Sequence, residues 1–274
     1  MADKLGLIAG GGALPRRLAE ICRSNGREVF IVALHGQTDA ATVEGFPHLW
    51  ASMGQVGAII NWLHGNGVRD LVFFGPVRRP SLSDLKPDWR AAKILASIGF
   101  RALGDDGIMR TLARILEDEE RFRVVGAHQL WADLLLAPGV PTAVRPDAQA
   151  EADIARGLEV ARALGAVDVG QSVVVQQGLV LGVEAIEGTD ALVRRCGGLR
   201  RGGPGGVLVK LVKPQQDHRL DLPTIGPDTV EEAAAAGLRG IAARAGGTLV
   251  VDFAGLIEAA DRHGLFIVGL EIGD

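Results

Sequence analysis

The first third of the chain alternates short apolar runs with amphipathic stretches. Lys4 to Ala9 (KLGLIA) is an apolar run ending in Gly10, Gly11 and Gly12, and in Leu14 to Ser24 the residues Leu14, Leu18 and Ile21 share one helical face. The pattern is strand, glycine turn, helix. Glu28 to Leu34 reads as a second strand, Ala51 to Gly65 carries Val56, Ile59, Ile60 and Leu63 at helical spacing, and Asp70 to Phe74 reads as a buried strand closed by Gly75 and Pro76. Strands alternating with helices imply a parallel sheet. The expected fold class is therefore α/β, with a Rossmann-like N-terminal domain over 1–130.

A helical pattern over Asp106 to Arg121 and a short strand over Phe122 to Val125 complete that domain. Leu130 to Pro146 then holds three prolines and breaks the rhythm, which predicts an interdomain linker over 131–146. Beyond it the pattern predicts a helix over Ala150 to Leu164, a hairpin from Ser172–Gln176 and Leu179–Ala185, a helix over Thr189 to Cys196 and a strand over Val207 to Val212. A helix over Val230 to Arg244, a strand over Thr248 to Val251, a helix over Ala254 to His263 and a strand over Leu265 to Leu270 follow. The second domain, 147–274, is expected to be a distinct mixed α/β unit and not a copy of the first.

Composition narrows the function classes. The 274 residues suit two domains of ordinary size, and 47% hydrophobic with 23% charged residues is a globular balance. A net charge of -4 without any long basic run removes the driving force for nucleic-acid binding. Of the 29 basic residues 24 are Arg, a skew that coding bias explains. Cys22 and Cys196 stand far apart without a CxxC spacing, so neither a zinc site nor a disulfide framework is expected. The opening residues do not form a signal peptide and no window holds the ~20 apolar residues of a membrane span, so a cytoplasmic protein is expected. A mean hydropathy of +0.21 leaves apolar surface for a subunit, a lipid or a membrane.

Three constellations could carry chemistry. Gly10 to Gly12 followed by Pro15 form a turn whose amides and helix N-terminus suit a phosphate, although the third glycine of the dinucleotide fingerprint is missing and a merely tight turn fits as well. Glu184, Glu187 and Asp190 stand where a strand gives way to a helix and could hold Mg²⁺, or Asp190 and Thr189 could simply cap that helix. The loop Lys213 to Thr229 (KPQQDHRLDLPTIGPDT) joins Lys213, Asp217, His218, Arg219 and Asp221 with apolar residues that should dock it. The absence of HExxH, GxSxG and P-loop motifs excludes their chemistries.

LGLIAGGGALP at Leu5 to Pro15, DVGQSVVV at Asp168 to Val175, GLVLGVEAIEGTDALVRR at Gly178 to Arg195 and DLPTIGPDT at Asp221 to Thr229 stand in one chain. Taken together they resemble the LpxI-type UDP-2,3-diacylglucosamine diphosphatases of lipid A synthesis, over almost the whole chain. The resemblance implies a Mg²⁺-dependent hydrolase that releases UMP and 2,3-diacylglucosamine 1-phosphate (lipid X), with water attacking the sugar-side phosphorus. It also implies a homodimer associated peripherally with the cytoplasmic face of the inner membrane. Asp221 matches the aspartate required for hydrolysis; Gly11, Gly12 and Ala13 match the nucleotide-side turn; Gln171 and Thr189 match substrate-contacting positions. Gly75, Pro76 and Val77 join that set, with Pro76 replacing the asparagine of relatives.

These expectations combine into one mechanism. Mg²⁺ held by Asp221 with Glu184 or Asp190 would bridge phosphate oxygens, and Lys213 and Arg219 would neutralise developing charge, unless Asp221 instead orients the water as general base. Leu130, Trp131, Leu134, Leu135 and Leu136, or Ile94, Leu95, Ile98 and Phe100, could line an acyl-chain passage. The competing readings are a non-catalytic protein that binds a nucleotide sugar or lipid nucleotide, and a Rossmann oxidoreductase.

Overall fold

A computed structural model describes residues 3–78, 87–98, 105–214, 216–220 and 222–273, with only the backbone described at 95–98 and 105–108. The chain divides into two compact units, one of residues 1–132 with 217–221 and the other of residues 133–216 with 222–274. The sequence order of the domains and their spatial membership therefore differ at one short segment, Asp217–Asp221.

The first unit is built on β1 (Leu5–Ala9), β2 (Val29–Leu34), β3 (His48–Ala51), β4 (Asp70–Phe74) and β5 (Arg123–Val124). They form a parallel sheet in the order β3-β2-β1-β4-β5. Every residue of β2 is buried, as expected for an inner parallel strand covered on both faces. Helices α1 (Leu14–Ser24), α2 (Val56–Gly65), α3 (Trp89–Ile98), α4 (Asp105–Asp118) and the short α5 (Ala127–Leu130) connect and cover the sheet. A core of Phe30, Val32, Ile60, Leu63, Leu71, Leu116 and Val124 lies between sheet and helices. At the amino end of β4 the buried Asp70 receives Arg123 in a fork, at 2.7 Å to each oxygen, and also pairs with Arg27.

The second unit joins α6 (Ala148–Ala166), β6 (Ser172–Gln176), β7 (Leu179–Val183), α7 (Thr189–Gly197), β8 (Val207–Lys210), β9 (Thr224–Ile225), α8 (Pro227–Ala235), β10 (Gly240–Arg244), β11 (Leu249–Val250), α9 (Phe253–His263) and β12 (Phe266–Leu270). Its sheet runs β12-β10-β8-β6-β7, parallel through β8 and antiparallel at β6 and β7. Asp153 of α6 clamps the β6–β7 hairpin by accepting from Gln177 N at 3.0 Å and Gly178 N at 2.7 Å. Those two turn residues have φ of 53° and 76°, as a tight hairpin requires.

Three expectations are corrected. The helix expected from Val230 to Arg244 ends at Ala235, and Gly240–Arg244 is a strand of the sheet centre. The Ala-rich sequence favours a helix, but Gly237 at φ 69° stops it and the chain then enters the space between β8 and β12. Ala51, read as the start of the helical run to Gly65, instead ends an edge strand, His48–Ala51, and the helix begins at Val56. Leu134 and Leu136, candidates for an acyl passage, are instead fully buried, and Leu136 belongs to the core of the second unit. Phe100 and the side chains of Leu95 and Ile98 lie outside the described residues.

Candidate functional site

Parallel strands place their carboxyl ends on one edge, and in an open α/β sheet ligands bind there, where the strand order reverses. In the first unit that switch point falls between β1 and β4. The turn after β1 (Gly10–Ala13) and the turn after β4 (Gly75–Val77) meet at it. A Cβ on Gly10 would collide with the Gly75 carbonyl, and one on Gly75, at φ 97°, with Pro15 and the Gly11 carbonyl, so both positions depend on glycine. Gly11 N donates to Pro76 O at 2.9 Å. Position 76 thus contributes through its carbonyl, which proline retains.

The loop after β2 closes the third side. Gly12 N donates to Asp39 Oδ2 at 2.8 Å, and Thr38 Oγ1 donates to Ala9 O at 2.5 Å. Gln37 exchanges two bonds with the backbone of Arg78, at 2.9 and 3.3 Å. The amides of Gly11 and Gly12 are therefore already occupied. Asp39 and Gln37 escape a motif search because neither belongs to the glycine run.

Arg219 belongs to the same unit, at the carboxyl end of β5. Its guanidinium donates to Asp217 at 2.8 and 3.1 Å, to Glu117 of α4 at 2.7 and 3.4 Å and to Val124 O at 3.3 Å. The hydrogen bonds from Asp217 and Glu117 push its pKa up, so it stays charged. The same Arg219 bond holds the Asp217 carboxyl below its ordinary range. Arg219 is expected from sequence as a cation facing phosphate, whereas the structure commits it to two carboxylates. Burial, with His218 adding to it, pushes the His128 imidazole below its ordinary value.

In the second unit three expected residues converge. Glu184 is 6% exposed; its Oε2 accepts from Gln171 N at 3.2 Å and its Oε1 from Thr189 Oγ1 at 3.1 Å, while Thr189 Oγ1 lies 3.1 Å from Ser172 Oγ. The Gln171 Oε1 atom is buried without a hydrogen-bond partner among the described residues. An orphaned acceptor of this kind calls for a donor from a ligand. Asp190 sits exposed in the first turn of α7. Lys213 Nζ is paired with Asp168 at 2.8 Å.

Lys210 is a residue that sequence reasoning passes over. It is 7% exposed at the end of β8, pairs in register with Ser172, and donates from Nζ to Thr224 O at 3.0 Å. The signal was the one polar residue inside the apolar run VLVKLV. Thr224 and Ile225 are pinned in turn by β11, where Leu249 N donates to Pro223 O at 2.8 Å and Val251 N to Ile225 O at 2.9 Å. DLPTIG is thus a fixed strand in its second half, from Pro223 onward. Asp221 itself lies outside the described residues.

No cluster of three or more His, Cys, Asp and Glu occurs among the described residues, and both Glu184 oxygens already accept protein hydrogen bonds. An open groove of about 500 Å³ along Leu135–Pro138, Arg244–Gly246 and Glu271–Gly273 is lined in part by Leu135 and Leu136, two candidates for the acyl-chain passage, but holds none of the expected catalytic, metal or substrate-turn residues.

These features define an α/β protein of two domains, one Rossmann-like with a glycine turn at its switch point and one with a mixed sheet that carries a polar, partly unsatisfied cluster. Residues 4–134 match the LpxI N-terminal domain and residues 137–268 the LpxI C-terminal domain. The chain belongs to the LpxI family. It is 43% identical over 277 aligned residues to the UDP-2,3-diacylglucosamine pyrophosphatase LpxI of Caulobacter vibrioides, covering 98% of each chain. The solved glycinamide-RNase-transformylase T of Mycobacterium tuberculosis is 14% identical, with a TM-score of 0.24 over 67% of this chain and 44% of that one, a likeness that carries no argument.

Proposed function

We propose that this protein hydrolyses the diphosphate of UDP-2,3-diacylglucosamine to UMP and 2,3-diacylglucosamine 1-phosphate in lipid A biosynthesis. The observation that carries the reading is the end-to-end similarity, at 43% identity, to a relative with that named activity. The geometry supports it in both units. A glycine turn with a neighbouring carboxylate, Asp39, suits a nucleoside, because ribose hydroxyls donate to carboxylates whereas phosphates are repelled by them. The buried, unpartnered Gln171 Oε1 suits a hydroxyl or amide donor of an acylated glucosamine.

The reaction needs a water oxygen to attack the sugar-side phosphorus while the bridging oxygen leaves with UMP. Asp221, through its match to the family's required aspartate, either orients and deprotonates that water or helps to hold a metal. Mg²⁺ would supply Lewis-acid stabilisation of the phosphate oxygens. Its protein ligands would have to centre on Asp221 and not on Glu184, whose oxygens hold Gln171 and Thr189 in place. Lys213 and Arg219 serve by fixing local structure through Asp168, Asp217 and Glu117.

Two acyl chains on the substrate call for contact with a lipid surface. Among the described residues no helix is long and apolar enough to cross a membrane, so the contact we propose is peripheral. Trp89, 82% exposed at the start of α3, and exposed Val77 support that reading. A homodimer is the assembly we propose from the family resemblance, and sedimentation velocity tests it.

Phosphorus NMR of UDP-2,3-diacylglucosamine in ¹⁸O water, with and without Mg²⁺, tests the reaction. UMP release with ¹⁸O in the sugar 1-phosphate is expected, and Asp221→Ala should slow it at least ~100-fold. Binding of the lipid nucleotide without release of UMP under any metal condition would make the protein a carrier or regulator instead.

A further inference from the structure

Two aromatic side chains stand at the carboxyl edge of the first unit's sheet, the edge that carries the glycine turn. Trp50 of β3 is in register with Ala33 of β2, and His35 directly follows β2, its amide donating to Ala51 O at 3.0 Å. Side chains alternate along a strand and paired residues share a face, so Trp50, Ala33 and His35 lie on one side of the sheet. The two rings stack, with centroids 5.5 Å apart and an interplanar angle of 24°. His35 is exposed and Trp50 half-buried. Among the described residues, neither the Trp50 indole N–H nor an imidazole nitrogen of His35 has a hydrogen-bond partner.

The strand order β3-β2-β1 puts Trp50 two strands from the glycine turn, about 10 Å at ~4.8 Å per strand. Between them Asp39 accepts from Gly12 N at 2.8 Å, in a loop that Thr38 fastens to both strands: its Oγ1 donates to Ala9 O and accepts from Leu34 N. On the β4 side the turn Gly75–Val77 closes directly onto Gly10 and Gly11, with Gly11 N bonded to Pro76 O. The open direction from Asp39 is therefore toward the ends of β2 and β3. A nucleoside presents its chemistry in the same order, a hydroxyl-bearing sugar and then a flat base.

We infer that His35 and Trp50 form the stacking platform for the base of the nucleotide substrate, with Asp39 on the ribose between the platform and the glycine turn. The inference rests on the reading given above for the identity of that base, the uracil of UDP-2,3-diacylglucosamine. Stacking on an aromatic side chain tightens binding of a base about tenfold or more. The unpartnered indole N–H adds a donor, the complement of a uracil carbonyl. The platform touches no reacting atom, so its removal should fall on binding and leave the chemical step in place.

The test compares UMP with ribose 5-phosphate, which keeps sugar and phosphate but lacks the base, by isothermal titration of the full-length protein. Wild type should bind UMP at least about tenfold more tightly. In His35→Ala and in Trp50→Leu that preference should fall to about threefold or less, with affinity for ribose 5-phosphate within about twofold of wild type. Trp50→Phe, which keeps a ring, should retain most of the preference. Because His35 is exposed, His35→Ala should unfold near the wild-type midpoint, and it carries the test even where Trp50→Leu does not fold. No preference in wild type, an unchanged preference in His35→Ala, or an equal loss of both ligands overturns the platform. Hydrolysis of UDP-2,3-diacylglucosamine measured alongside should show KM raised about tenfold in His35→Ala with kcat within about threefold. UMP release by wild type beside an unchanged preference in His35→Ala removes only the platform. Base-dependent binding that needs His35, in a protein that releases no UMP, removes only the hydrolase reading.

Discussion

Asp39 Oδ2 accepts the amide hydrogen of Gly12 at 2.8 Å, which places a carboxylate inside the glycine turn that a Rossmann-like domain ordinarily offers to phosphate. The turn is thereby tuned against anions. If ribose hydroxyls are what it binds, Asp39→Ala should weaken UMP binding and raise KM for the lipid nucleotide about tenfold, a change of ~1.4 kcal/mol, with kcat little altered. Isothermal titration with UMP reads this directly. Tighter UMP binding in Asp39→Ala would mean that the turn meets phosphate after all.

Glu184 is the buried acceptor for two donors, Gln171 N and Thr189 Oγ1. Glu184→Ala leaves the Gln171 amide without its acceptor and Thr189 Oγ1 with Ser172 Oγ alone, at a cost of about 1–3 kcal/mol, and the unfolding midpoint should drop by several degrees. Because the role is structural, the drop should be the same in EDTA and in excess Mg²⁺. A drop seen only with Mg²⁺ would restore the metal-ligand role expected for Glu184 from its place in the sequence.

Lys210 carries its ammonium into the interior and donates to Thr224 O inside DLPTIG. A buried charge costs stability unless something offsets it. Lys210→Met keeps the length of the side chain but removes charge and donor. Thermal unfolding should be close to that of wild type, and kcat should fall roughly 10- to 100-fold as the anchor of the motif is lost. Unchanged kcat in a folded Lys210→Met protein would show that the bond is dispensable.

Two groups of the first unit set the pH dependence of stability on the acid side. His128 is pushed down by burial and by His218, so its neutral form contributes stability above the ordinary value near 6.5, and that contribution is lost as pH falls through the lower folded value. Asp217 is held down by the Arg219 bond, so its contribution is present above the ordinary carboxylate range and lost as pH falls through its depressed folded value. His128→Gln should therefore flatten the stability curve just below pH ~6.5, and Asp217→Asn should flatten it below pH ~4. Urea unfolding midpoints across pH 3 to 8 check both, and identical slopes in wild type and variant would contradict the assignment.

Much of the fold was legible because its determinants are local. The strand, glycine turn and helix at Leu5–Ser24 follow from apolar spacing together with Gly10–Gly12 and Pro15, and the hairpin at Ser172–Val183 follows from Gln177 and Gly178 between two β-branched runs. The family was legible because its motifs are contiguous. Gly240–Arg244 was not legible, since an Ala-rich pentapeptide becomes a strand only when β8 and β12 stand ready on either side.

The sequence by itself determined the α/β class, two domains, the glycine turn and the DLPTIG and EGTD motifs. The tertiary structure alone decided what the charged groups do. Arg219, Lys213 and Glu184 read as free chemistry until Glu117, Asp168 and Thr189 are brought to them. An ion pair or hydrogen bond is a matter of a few ångströms in space, and partners as far apart as 102 positions in the chain leave no local trace.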